Sequence, residues 1–219
     1  MKKEIQIPIY AIVFLCAGAY ASAATTFNFH DGSSTIGSGS AFNDADGPVT
    51  DTVDGITLTA EAFLDGNSTD TNLNGATGSF GINADGTADV TQRFDNDEGI
   101  ETMDFSFNTA GTFDSIDLKF IEEPADEAEL VFGGGGTTTQ LNTSTPGSTN
   151  NASAYSFTIG ESFTAGQDIT LGITSSAAVG ENFSLESFTV TPVPEPGHYA
   201  ALLGLFSLGF IYWQRRRAH

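Results

Sequence analysis

The strongest constraint on this chain is a two-residue beat. Between Thr25 and Thr191 short runs carry an apolar residue at every second position and then break at Gly, Asn or Asp. Gly55-Ile56-Thr57-Leu58-Thr59-Ala60, Met103-Asp104-Phe105-Ser106-Phe107 and Phe183-Ser184-Leu185-Glu186-Ser187-Phe188-Thr189-Val190 are examples. Successive side chains of a strand point to opposite faces, so such runs bury one face and wet the other. Phe and Ile dominate the inward positions and Thr, Ser and Asp the outward ones, as a half-buried pleated surface prefers. About nine or ten strands with turn residues between them predict an all-β chain, an antiparallel β-sandwich of jelly-roll type. No stretch of the middle reads as an amphipathic helix. Residues 133–136 and 142–151 read as exposed loops.

The two ends follow other rules. Met1-Lys2-Lys3, the apolar stretch Ile9 to Tyr20, and the small residues Ala21-Ser22-Ala23 predict a secretory signal peptide over residues 1–23. Cleavage would follow Ala23 and leave Ala24 as the first mature residue. The Sec translocon and signal peptidase are then the first partners. The lone cysteine, Cys16, leaves with that segment. The exported chain therefore has no disulfide and relies on apolar packing in the domain over 24–191.

Charge narrows the partners. The whole chain carries −21. Between Lys3 and Arg215 only Arg93 and Lys119 are basic, while every acid except Glu4 falls there. Such a middle repels nucleic-acid phosphate and attracts cations, so no nucleic-acid partner is expected.

At the C-terminus, over 192–219, Pro194-Glu195-Pro196 precedes an apolar run, Ala200 to Trp213, and then Arg215, Arg216 and Arg217. The run reads as a short transmembrane helix over about 198–213, with the arginines as the cytoplasmic stop. Pro194 and Pro196 lack N–H donors and keep the approach extended, as a processing enzyme's cleft requires.

Those three parts in that order resemble the PEP-CTERM sorting signal of Gram-negative bacteria. The resemblance covers about the last 27 residues and implies recognition of Pro194, Glu195 and Pro196 by an exosortase. That membrane enzyme would cut near the motif and pass the protein to the cell surface or extracellular matrix. It also implies company with exopolysaccharide and biofilm. Phe94 to Phe107, an acidic turn followed by an alternating Phe strand, resembles a pattern of such proteins' exported domains.

Within the domain, chemistry is sparse. His30 is the sole histidine between the signal and the tail, which leaves little for a Ser/His/Asp scheme or a zinc site. Carboxylates such as Glu98, Glu101, Glu122, Glu123, Glu181 and Glu186 could supply a glycosidase pair. Yet the only Trp is Trp213 in the tail, and Tyr155 is the only Tyr of the domain, so aromatic sugar platforms are missing. Asp70-Thr71-Asn72-Leu73-Asn74-Gly75 matches the opening of a calcium loop, with Asp70, Asn72 and Asn74 as oxygen donors. The usual twelfth-position Glu is Gly81, and Asp, Asn and Gly also simply make turns.

The resulting expectation is a non-enzymatic, exported surface or matrix protein with a structural or adhesive role beside exopolysaccharide, and calcium as the candidate cofactor. Two alternatives stay open: a lectin-like carbohydrate-binding module, and a polysaccharide-active enzyme.

Overall fold

The computed structural model describes residues 22–29, 45–68, 71–76, 79–84, 93–95, 99–119, 121, 128–141, 154–173, 182–193 and 196–217. Ala24–Pro192 forms one compact unit, and the segment from Val193 onward belongs to another.

Fourteen strands are seen among the described residues. They are β1 (Thr25–Asn28), β2 (Ala45–Asp46), β3 (Val49–Val53), β4 (Ile56–Leu64), β5 (Thr71–Ala76), β6 (Ser79–Ala84) and β7 (Phe94–Asp95). Then come β8 (Glu101–Phe107), β9 (Gly111–Lys119), β10 (Ala128–Phe132), β11 (Thr138–Leu141), β12 (Tyr155–Phe163), β13 (Ile169–Ile173) and β14 (Asn182–Pro192). One large sheet has the order β1-β14-β9-β12, with β7 also pairing β14; the other runs β11-β10-β13-β8-β4-β3. A small third sheet is β2-β5-β6. The described pairings are antiparallel.

Four of these pairings are nested. β10 pairs β11, β9 pairs β12, β8 pairs β13 and β1 pairs β14. Read outward from the β10–β11 turn, the chain is one long hairpin wrapped so that successive pairs alternate between the two sheets. β2 to β7 are inserted between β1 and β8. Two of them, β3 and β4, widen the second sheet beyond β8.

The core follows from the alternation. In β8, Met103, Phe105 and Phe107 are buried while Thr102, Asp104 and Ser106 are half-buried on the other face. Phe188 of β14 meets Phe105 and Phe107 of the opposite sheet at ring-centroid distances of 5.2 and 5.7 Å, and Phe27, Phe29 and Phe113 at 5.3, 5.2 and 5.2 Å. Offset and edge-on aromatic pairs at such distances each add roughly 0.5–1.5 kcal/mol beyond area burial.

The two-residue beat slips where strands bulge. In β14 the inward residues are Phe183 and Leu185, then Phe188 and Val190. The register against β9 shifts between Leu185 and Ser187, so Glu186 is the extra residue. The same happens in β9, where Phe113 is followed inward by Ile116 and Leu118, and the register shifts beside Asp114. One extra residue turns every later side chain to the opposite face; the bulge absorbs it and keeps the core continuous.

Buried Ser184 shows how the small sheet is held. Its Oγ accepts from Phe80 N at 2.7 Å and donates to Phe80 O at 3.0 Å. A hydroxyl without such partners would be costly there.

The C-terminal segment forms α1 (Pro196–Arg217). Pro196 is therefore helical where the sequence reading expects an extended approach; proline suits the first helical turn, where its missing N–H has no intrahelical partner anyway. The exposed Arg215 and Arg216 sit at the end whose dipole favours cations, and Arg216 lies 5.5 Å from the Tyr212 ring centroid. A helix is present where the sequence predicts one, but no helix among the described residues is long and apolar enough to cross a membrane. That corrects the membrane-spanning part of the expectation. The physical reason is the shortness of the apolar run: the stretch from Ala200 to Trp213, with Gly204, Ser207 and Gly209 within it, rises roughly 21 Å against a hydrocarbon core of roughly 30 Å.

Candidate functional site

The structure describes only part of the residues singled out from sequence. Asp70 lies outside the described residues, as do His30, Glu98, Glu122, Glu123, Glu181, Pro194, Glu195 and Ala21. Ala23 and Ala24 are exposed and lead into β1. Pro196 opens α1 and Arg217 closes it. Asn72 and Asn74 belong to strand β5, in register with Asn83 and Gly81 of β6. The stretch that reads as a calcium loop is therefore extended from Thr71 to Ala76, with Leu73 between the two asparagines fully buried. That buried leucine and the β6 ladder favour a strand over a turn. Among the described residues no group of three or more His, Cys, Asp or Glu is placed to hold a metal ion. Of the candidate carboxylates, Glu186 pairs with Lys119, and Glu101 is buried at the start of β8 with a partner of its own.

A different site is built by the turns at one end of the domain. An open cleft of about 570 Å³ is lined by residues 133–136, in the β10–β11 turn, and 164–168, in the β12–β13 turn. The glycine run has a local reason at each position. A Cβ on Gly133 would lie 2.7 Å from Asp168 O and one on Gly136 2.6 Å from Phe132 O, closer than real contacts allow. Gly134 and Gly135 have φ of +75° and +85°, where other residues are strained.

The two turns are joined through one side chain. Gln167 Nε2 donates to Gly133 O at 2.9 Å, while its Oε1 accepts from Thr164 N at 2.9 Å. Gly133 N donates to Asp168 O at 2.8 Å, and Gly166 N to Phe107 O at the end of β8, also at 2.8 Å. The walls of the cleft are thus tied to each other and to a core strand. Among the described residues no aromatic side chain lines it. Asp168 does, and its exposed carboxylate has no hydrogen-bond partner among the described residues.

Beside the cleft, on the outer face of the larger sheet, Asp104 of β8 stands in register with Thr170 of β13 and Glu61 of β4. Burial pushes the Asp104 carboxyl above its ordinary value and the Asp168 charge adds to the rise, while Thr170 Oγ1, donating at 2.5 Å, opposes it. No sequence motif marks this group, because Asp104 and Thr170 meet only through strand pairing.

Comparison with known proteins adds little. No family model matches the chain, and no curated protein matches it. Among solved structures, it is similar to the "Crystal structure of Podospora anserina GH26-CBM35 beta-(1,4)-mannanase", at 21% identity and a TM-score of 0.35. The alignment covers 69% of this chain and 29% of that one, so this chain spans under a third of that protein's length. A likeness of that size fixes neither fold nor function.

Proposed function

We propose that this chain is an exported, non-enzymatic β-protein whose C-terminal tail is a PEP-CTERM sorting signal read by an exosortase. The domain over 24–191 is then a jelly-roll sandwich, a reading supported by the nested pairing of β1 to β14 around two Phe-lined sheets. Its role is structural or adhesive at the cell surface or in the matrix, in contact with exopolysaccharide.

One observation carries the sorting reading. Helix α1 starts at the last proline of Pro194-Glu195-Pro196 and ends on the arginines, and between them eight large apolar side chains, from Leu203 to Trp213, stand exposed. A helix apolar on every side needs an apolar environment that it does not find within its own turns. A membrane-embedded processing enzyme supplies one, and the arginines mark where the helix stops.

The test is the intact mass and cellular location of the protein in its host, with and without the exosortase gene. Loss of the segment beyond the motif only when the enzyme is present, with release to the surface, is the expected result. An unchanged mass ending at His219 in both strains would sink the sorting reading.

A further inference from the structure

One edge of the larger sheet is open and regular. β3 is its outermost strand, and among the described residues nothing pairs the far side of β3. Other outer strands are less suited to take a partner: β1 and β11 have four residues each, and β12 is broken by the irregularity beside Gly160. β3 keeps an unbroken register with β4 from Val49 to Val53. The two-residue turn Asp54-Gly55, with φ of +51° and +83°, fixes which main-chain groups face outward. Such a turn closes on a hydrogen-bonded pair, here Val53 with Ile56. Pairs alternate along an antiparallel ladder, so Asp51 and Val49 also bond to β4. Thr50 and Thr52 then turn their N–H and C=O groups to the open edge.

The strand is complementary to itself. Val49-Thr50-Asp51-Thr52-Val53 reads the same in both directions, and Val and Thr suit a pleated edge. An antiparallel second copy centred on Asp51 sets Thr50 against Thr52 and Val49 against Val53, so each outward main-chain group meets its counterpart. One side chain opposes this. Asp51 lies on the inward face with half-buried Val49 and buried Val53, in register with buried Leu58. An inward-pointing charge on an edge strand acts against pairing. Its Oδ1 also accepts from Thr52 N at 2.6 Å, which occupies one of the outward donors. At the centre of the self-pair the two Asp51 residues form a non-hydrogen-bonded pair, where side chains come closest and like charges repel. The described neighbours offer no positive charge. β4 carries only Glu61, on the opposite face, the turn carries Asp54, and β1, the strand of the other sheet beside β3, has no titratable residue.

We infer that β3 is a self-association edge gated by Asp51. Two copies of the chain join their larger sheets antiparallel through β3 when the Asp51 carboxylates are neutralised, and stay apart while both are charged. The inference goes beyond the sorting reading and does not depend on it.

The experiment weighs the full-length chain by light scattering after size exclusion, in mild detergent so that α1 is covered. The wild type is expected to be monomeric at neutral pH and dimeric on acidification. Asp51→Asn should dimerise already at neutral pH, with an affinity about tenfold or more above the wild type's. Thr50→Pro removes an outward N–H and no bond to β4, so it should abolish both dimers without moving the melting temperature. Cross-linking reads the register independently of these variants. In a Cys16→Ser background, Asp51→Cys should oxidise to an intermolecular disulfide, because facing Cα atoms of such a pair lie about 4.5 Å apart, whereas Thr50→Cys should not. Monomeric Asp51→Asn at neutral pH, dimers that survive Thr50→Pro, or equal cross-linking at positions 50 and 51 would overturn the inference.

Discussion

Asp104 shows how a single residue departs from what its neighbours in sequence suggest. Met103-Asp104-Phe105 reads as an ordinary alternation with the acid outward, and outward it points. Pairing then places it between Thr170 and Glu61, with the Asp168 charge close by. Because its folded pKa is raised, the folded state holds this proton more tightly than the unfolded chain does. The ionised form thus costs stability at neutral pH, and the cost is relieved as pH falls through the folded pKa. Asp104→Asn, which keeps an acceptor for Thr170, should therefore raise the denaturation midpoint at neutral pH. The gain should fade in acid, where the wild-type carboxyl is protonated as well. A gain that persists or grows on acidification would contradict this assignment of cause.

At the scale of elements, strand parity was legible and strand phase was not. The runs around Phe105 and Phe188 announce strands with Phe inward, and those rings stack in the core. A strict beat, however, cannot foresee that Glu186 and the Asp114 region each absorb an extra residue, since a bulge depends on what the neighbouring strand presents. β12 has a third such break. Its register against β9 shifts between Thr158 and Glu161, and Gly160 sits there at φ +72°. Gly160→Ala should cost about 1–2 kcal/mol, the penalty of an L side chain in the left-handed region, read as a lower urea midpoint with unchanged slope. The glycine run at 133–136 is legible as a loop, and in the structure it forms the β10–β11 turn. That it forms a cleft wall was hidden, because its counterpart Gln167 lies 34 residues away from Gly133.

The whole molecule combines two surfaces with opposite solvent preferences. The domain is acidic, with the chain at −21 overall, which favours solubility. α1 instead exposes Leu205, Leu208 and Tyr212 at 67%, 66% and 63% of their areas. Such contiguous apolar surface drives association in water. The full chain should therefore self-associate in light scattering unless detergent is present, whereas a chain ending at Pro192 should remain monodisperse. Monodisperse full-length protein in plain buffer would mean that α1 is covered by something within the molecule itself.

By itself the sequence determined the all-β class, the inward Phe residues, the scarcity of basic side chains in a field of acids, and a C-terminal helix that runs up to the arginines. These are properties of local periodicity and composition, which do not depend on what a segment packs against. Only the tertiary structure decided that the D-x-N-x-N-G stretch is largely strand, where the bulges fall, and that Gly133, Gln167, Asp168 and Asp104 share one end of the domain. Each of those depends on pairing between residues far apart in the chain, set by the free energy of burying two sheets against each other. No local pattern encodes that.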